Sequence, residues 1–287
     1  MTIHIAGHDG TDRGSDAMAL ARRLALLHEA QLLAVHVLAV PSIRQHLTGR
    51  TVEDLEQDAG VALSRARAES SDVPGPPPRT VYAASPAAGL REACEDEAAA
   101  LVTVGSSRHG LVGGVLAGST AERLLTGSPC AVALAPVGYA RVDAPFRRVV
   151  VGYDGGPESA TAVDVAADIA ARAGTGLKVV TVVEILGYDE AEDLAREGAQ
   201  RVTADIDVEH ATAVGDRATA LIDASREAGD LLVIGSRGHG PARWVLAGTV
   251  GHGLARESVC PAIFVPRTVA PGATLADGTA TEGARRA

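Results

Sequence analysis

Apolar positions along the chain change period several times, and they do so in the same order in two stretches. A short apolar run, Ile3 to Gly7, breaks at Asp9-Gly10, and a second, Val149 to Tyr153, breaks at Asp154-Gly155. Runs of this length bounded by turn residues predict buried strands. Each is followed by apolar residues at helical spacing: Ala17, Leu20, Ala21, Leu24 and Leu27 in the first stretch, Ala162, Val163, Ala166, Ile169 and Ala170 in the second. The runs "LLAVHVLAV" and "LKVVTVVEI" predict a second buried strand. A partly charged helical region then leads to a third strand near "RTVYAA" and "DIDVEHATAV". A helix over Ala87 to Glu97, or Ala218 to Ala228, precedes "LVTVG" or "LLVIG". A glycine-rich loop, a short helix and a last strand, "CAVALAP" or "PAIFVP", close each stretch. Strands alternating with helices predict a parallel sheet with helices on both faces.

The order repeats because the residues repeat. Gly105 aligns with Gly235, Gly118 with Gly248 and Cys130 with Cys260, each at an offset of 130, whereas Asp9 aligns with Asp154 at 145. The first copy therefore carries 15 extra residues, placed between Pro41 and Pro78, where "DVPGPPPR" cannot form regular structure. The expectation is two tandem α/β domains, each a parallel sheet with helices on both faces: residues 1–140 and 146–268, joined through Ala140 to Phe146. From 269 to 287 the chain lacks apolar periodicity and reads as a disordered tail.

Composition narrows the function. The 287 residues are 46% hydrophobic but only 2% aromatic, so the cores are built from Ala, Val, Leu and Ile. The net charge of −10 and the absence of a basic block argue against nucleic acid. No apolar run reaches the about 20 residues that span a bilayer, and no membrane partner is expected. Cys94, Cys130 and Cys260 form no C-x-x-C pair, which suits reduced thiols in a cytoplasmic protein. Lys178 is the single lysine, so a phosphate loop that depends on lysine is excluded.

The loops "GSSRHGLVGGVLAGS" (Gly105 to Ser119) and "GSRGHGPARWVLAGT" (Gly235 to Thr249) need no lysine. Both follow the C-terminal end of a strand, where open α/β sheets bind ligands. Glycines permit close approach of backbone N–H groups to an anion, and a following helix N-terminus adds its dipole. Taken alone, the same glycines would serve as tight turns.

In context these residues resemble the universal stress protein family, whose motif is Gly, two residues, Gly, nine residues, Gly, then Ser or Thr. The second copy fits throughout with Gly235, Gly238, Gly248 and Thr249. Asp154, Gly215-Asp216 and Cys260-Pro261 are also similar. The resemblance covers about residues 1–136 and 147–266. It implies two tandem Rossmann-like (adenine nucleotide alpha hydrolase-like) domains, each a five-stranded parallel sheet, that bind ATP, with or without Mg2+. Gly152, Tyr153 and Asp154 would flank adenine and ribose, and Val182 would touch the base. Ile234 and Gly235 would line the ribose, while Gly238, Gly248, Thr249 and Val250 would bind phosphates. Gly251 departs from the family, which often has a hydroxyl there.

The first copy keeps Asp9, Val37, Gly105, Gly118 and Ser119, but Arg108 replaces the second glycine, Ala84 stands for Gly215, and Ala121 replaces a later hydroxyl. Arg108 either blocks the backbone approach or binds phosphate itself; a weakened site is favoured. His109 and His239 read as loop histidines, since no cluster has metal-ligand spacing, and His36 as a satisfied core residue. Arg237 and Arg243 read first as solvated, with screening of phosphate charge as the alternative, and Trp244 reads equally as a cover of the site, a contact with another chain or a surface-packed helix residue. Three functions compete: a nucleotide-binding stress regulator without dedicated catalysis, a slow ATPase or phosphotransferase, and a ligand-free dimer scaffold. The first is preferred, because no Walker lysine or paired acid and base is present. The family also implies pairing of the last strands, Ala131 to Ala135 with Ala262 to Val265, within one chain, and a homodimer of chains.

Overall fold

The computed structural model describes residues 1–39, 52–106, 120–142, 144–183, 187–226, 230–236 and 260–277. The first half runs β1 (Ile3–Gly7), α1 (Asp12–Leu27), β2 (Gln31–Ala39), α2 (Val52–Glu69), β3 (Arg79–Ala83), α3 (Pro86–Asp96), β4 (Leu101–Gly105), α4 (Thr120–Leu125) and β5 (Ala131–Ala135). The second runs β6 (Arg148–Gly152), α5 (Pro157–Ala173), β7 (Gly176–Val183), α6 (Tyr188–Gln200), β8 (Val208–Val214), α7 (Arg217–Ala224), β9 (Asp230–Ser236) and β10 (Ala262–Pro266). Part of the extra length of the first half lies in α2, which has 18 residues against 13 in α6. The helix expected to Ala228 ends at Ala224. Its buried cap Ser225 turns its hydroxyl back to the Leu221 carbonyl at 2.8 Å.

The ten strands of the described residues form one sheet in the order β3-β2-β1-β4-β5-β10-β9-β6-β7-β8. Pairing is parallel within each half, as the sequence pattern requires, and antiparallel at the seam, where Val132 faces Phe264 and Leu134 faces Ala262. The expected intrachain pairing of the last strands is thus what joins the halves. Because the seam is antiparallel, the C-terminal strand ends of the two halves point in opposite directions.

The alternation of side chains divides the core into two layers. One layer contains Ile5, Leu33, Val102, Val132, Val150, Val180, Leu232 and Phe264 and is covered by residues of α3, α4 and α7. The opposite layer joins Leu20 and Leu24 of α1 to Ala162, Val163, Ala166 and Ile169 of α5. Alanines 131, 133 and 135 of β5 face this second layer, where the helices of both halves share one surface.

The linker is fixed to α1. Buried Asp16 accepts backbone N–H bonds from Gly138 and Ala140, both at 2.8 Å. Arg23 donates to the carbonyls of Val142 and Ala144 and lies 5.5 Å from the Tyr139 and Phe146 ring centres.

Residues 269–277 correct the expectation of an unpacked tail. Val269 and Leu275 are buried in the layer shared by α1 and α5. The Leu275 carbonyl meets His4 Nε2 at 2.9 Å, the Ala276 carbonyl accepts from the Thr2 hydroxyl, and Gly272 N–H donates to Asp164 at 3.3 Å. Two apolar anchors and backbone bonds to both halves hold this segment, with no periodicity of its own. Residues 278–287 lie outside the described residues.

Candidate functional site

In each half the strand order reverses between two neighbours, β1/β4 and β6/β9. Such switch points open a crevice at the C-terminal strand ends. In the first half the crevice is a cavity of about 320 Å³, within the roughly 300–1,000 Å³ typical of ligand pockets. Val35, Val37, Leu90 and Val104 make it apolar; Asp9, Arg13 and Thr120 supply polar groups; Gly7 and Gly105 line it with backbone. Of the first-half candidates, the structure brings together Asp9, Val37 and Gly105. Arg108, Gly118 and Ser119 lie outside the described residues.

In the second half, Gly152 ends β6 on the same face as Val182 and Ile234. A Cβ on Gly152 would sit 3.3 Å from the Leu221 methyls, so these residues form a continuous apolar surface with α7. Asp154 is exposed beyond it. Its Oδ1 accepts from Gly156 N–H at 3.0 Å and the Ser159 hydroxyl at 2.7 Å, which fixes the turn into α5. Asp9 does the same for α1, accepting from Thr11 N–H at 3.0 Å and its hydroxyl at 2.6 Å. Gly238, Gly248, Thr249 and Val250 lie outside the described residues, as do His109, Arg237, His239, Arg243 and Trp244.

Tyr153 is placed differently from the other candidates. Its side chain belongs to the opposite layer, only 3% exposed, with the hydroxyl donating to Glu197 Oε1 of α6 at 2.7 Å. Burial, with the Glu197 bond second, pushes the phenol up to about 12. Gly198 makes room for the ring, since a Cβ there would lie 2.7 Å from it. Tyr153 therefore turns its side chain away from the layer of Val182 and Ile234. Its carbonyl accepts from the Thr181 hydroxyl at 2.9 Å.

The first half uses the same device with other residues. His8 precedes Asp9 and bonds Glu69 of α2 at 3.1 Å; burial pushes its imidazole below the ordinary value despite that carboxylate. Glu69 also accepts from Ser15 at 2.6 Å and Arg65 at 3.0 Å, and Arg65 reaches the Gly10 carbonyl and Asp12, each at 3.0 Å. The turn bearing Asp9 is therefore clamped by α2. His36 is the bonded core histidine expected, its Nδ1 2.8 Å from the His8 carbonyl. Sequence reading missed Glu69 and Glu197 because the insertion before β3 hides their common role.

Gly105 and Gly235 are required by packing. A Cβ on Gly105 would lie 2.4 Å from the Arg13 carbonyl oxygen, and one on Gly235 2.4 Å from that of Glu158. The first turn of α1 or α5 rests directly on the end of the strand. Gly215 adopts φ +129° before the N-cap Asp216, a conformation suited to glycine. Ala84 stands at that position before the N-cap Ser85 without a positive φ. The Thr219 backbone N–H holds the Asp216 carboxyl below its usual range. All three cysteines are buried and unbridged. Among the described residues no cluster of three His, Cys, Asp or Glu side chains is placed to hold a metal, and no helix is long and apolar enough to cross a membrane.

Comparison with known proteins agrees with this geometry. The model of the universal stress protein family matches residues 4–136 and 145–266. A universal stress protein of Mycolicibacterium smegmatis is 27% identical over 285 residues, covering 91% of this chain and 96% of its own length. One from Thermus aquaticus is 30% identical over 135 residues, 46% of this chain but 96% of its own. The crystal structure of a universal stress protein from Archaeoglobus fulgidus superposes with a TM-score of 0.72 at 18% identity, covering 92% of this chain and 98% of that one.

Proposed function

The chain belongs to the universal stress protein family, and we propose that it is an adenine-nucleotide-binding regulator that holds ATP mainly in its second half and has no dedicated catalysis. The observation that carries this reading is the shared apolar face of Gly152, Val182 and Ile234 at the β6/β9 switch point, with Asp154 exposed beside it. That face suits a planar base. The Asp154 carboxylate suits the ribose hydroxyls, and Tyr153 contributes backbone only. Gly238, Gly248, Thr249 and Val250 complete the motif with amides and a hydroxyl for the phosphates. Mg2+ would enter with those phosphates, since this ion is held through one or two carboxylates and phosphate oxygens.

The absence of a catalytic lysine supports binding without turnover. Lys178 is the third residue of β7, toward the end of the strand remote from the crevice. A cytoplasmic location and a homodimer belong to the same proposal. The last strands satisfy each other, so two chains would meet through another surface, which light scattering on the eluted protein can measure.

Purified protein extracted with acid should release adenine nucleotide on chromatography. Release of none, together with no thermal shift on adding ATP, would overturn the proposal. Sustained phosphate release that a point substitution abolishes would identify an enzyme instead.

A further inference from the structure

We propose that residues 269–277 form an acid-released strap over the joint of the two halves, opened when buried His4 takes up a proton. The strap acts independently of any nucleotide. It is tied into both halves. Just before it, the Thr268 hydroxyl donates to the Pro129 carbonyl at 3.0 Å. The Leu275 carbonyl meets His4, the Ala276 carbonyl accepts from Thr2, and Gly272 N–H reaches Asp164 of α5. Its apolar hold is limited to Val269 and Leu275.

Backbone carbonyls fix the protons on both imidazoles. A carbonyl only accepts, so the Leu275 oxygen at 2.9 Å makes His4 Nε2 the N–H, and the Leu24 oxygen at 2.7 Å makes His28 Nδ1 the N–H. The remaining nitrogens, His4 Nδ1 and His28 Nε2, are buried and make no hydrogen bond; nor does Asp168 Oδ2, 3.5 Å from His28 Nε2. A proton on His28 Nε2 would face that carboxylate. A proton on His4 Nδ1 would face no acceptor. The neighbours of His4 in register are Leu32 of β2 and Leu101 of β4, both buried, and the His28 ring of the α1 cap lies 5.5 Å away. The charges beyond are Asp168 with Arg172, and Asp164, all on α5, and Asp277 at the end of the strap, bonded to Thr274. Burial, opposed by the Leu275 bond and reinforced by His28, pushes the His4 imidazole from 6.5 to about 4.

Packing does not require histidine here. At the offset of 145, His4 and His28 correspond to Val149 and Ala173, and Val149 is as deeply buried as His4. A cation on His4 needs water, and the strap is the cover that yields. Strand β1 is bonded on both sides, to β2 and β4, and α1 is anchored through Leu20 and Leu24. Neutral His4 belongs to the closed strap and protonated His4 to the open one. Closure is therefore complete above 6.5 and lost as pH falls toward 4.

Hydrogen–deuterium exchange of the full chain from about pH 7.5 to pH 4, corrected for the intrinsic pH dependence of exchange and resolved by segment, tests this. The opening constant of 269–277 should rise about 10-fold per pH unit below 6.5, and about 100-fold in all by pH 4. Helix α1 and the central strands should stay protected. His4→Gln keeps a donor for the Leu275 carbonyl, and His4→Val installs the residue of the second half. Each should make strap opening independent of pH, with circular dichroism at neutral pH verifying the fold. A flat profile in wild type, the wild-type pH dependence in either folded variant, or loss of protection in α1 together with the strap would overturn the inference.

Discussion

Replacing Gly235 by alanine should destabilise the protein even with no ligand present. The added Cβ would lie 2.4 Å from the Glu158 carbonyl oxygen, 2.5 Å from its carbon and 2.8 Å from Ser159 N. Contacts under 3.0 Å are not sustained, so strand and helix must part by about 0.6 Å or more. Neither yields readily. Strand β9 is paired with β6 on one side and β10 on the other, with Gly235 itself opposite Val265. Helix α5 is packed through Ala162, Val163 and Ala166. Overpacking of this kind costs about 1–3 kcal/mol, or several degrees of melting temperature at about 2–4 °C per kcal/mol. Gly105→Ala should behave alike, since its Cβ would lie 2.4 Å from the Arg13 carbonyl. Gly60→Ala is the control with opposite sign. That glycine is exposed within α2 and a Cβ there meets nothing within 4 Å, so alanine should stabilise by about 0.5–1 kcal/mol. Urea unfolding of the nucleotide-free proteins, followed by circular dichroism, measures all three. A Gly235→Ala midpoint equal to wild type would refute the packing explanation and leave ligand approach as the reason for glycine.

Other expectations concern the seam between the halves. Leu275→Ala should cost about 2 kcal/mol, the low end for a buried leucine, because the segment can lift away; faster proteolysis near residue 270 would report it, and no change would remove the segment from the stability of the fold. His4 is buried beside His28, their ring centres 5.5 Å apart, with Asp168 3.5 Å beyond His28. Burial pushes the His4 imidazole from 6.5 to about 4. Its folded-state value is below the unfolded one, so the stability from keeping it neutral is complete above 6.5 and lost as pH falls toward 4. The slope over that window reaches about 1.4 kcal/mol per pH unit. Unfolding midpoints at several pH values should show this slope, flattened in His4→Gln; an equal slope in the variant would assign the effect to other groups.

The architecture was readable because it rests on local period: alternation within strands, helical spacing between them, and two offsets that expose the repeat. The seam was readable through the family pattern. The packed end of the chain was not, since Val269 and Leu275 are isolated apolar residues in a stretch rich in Thr, Gly and Ala. Their binding surface exists only after α1 and α5 come together. The placement of Tyr153, by contrast, is written in the strand period itself. Adjacent residues at the end of a strand point to opposite layers, so Gly152 and Tyr153 cannot both face one base with their side chains. The contact of the Arg13 and Glu158 carbonyls with Gly105 and Gly235 appears only in the folded chain. The clamps by Glu69 and Glu197 depend on helices of unequal length and could be found only in three dimensions.

The central claim, that the second half is an ATP site, is tested most directly by titrating ATP into nucleotide-free wild type and Gly248→Leu. The account predicts saturable binding to wild type and loss of the tighter site in the variant, with its unfolding midpoint in the absence of nucleotide retained. Equal ATP binding by the two proteins would contradict it.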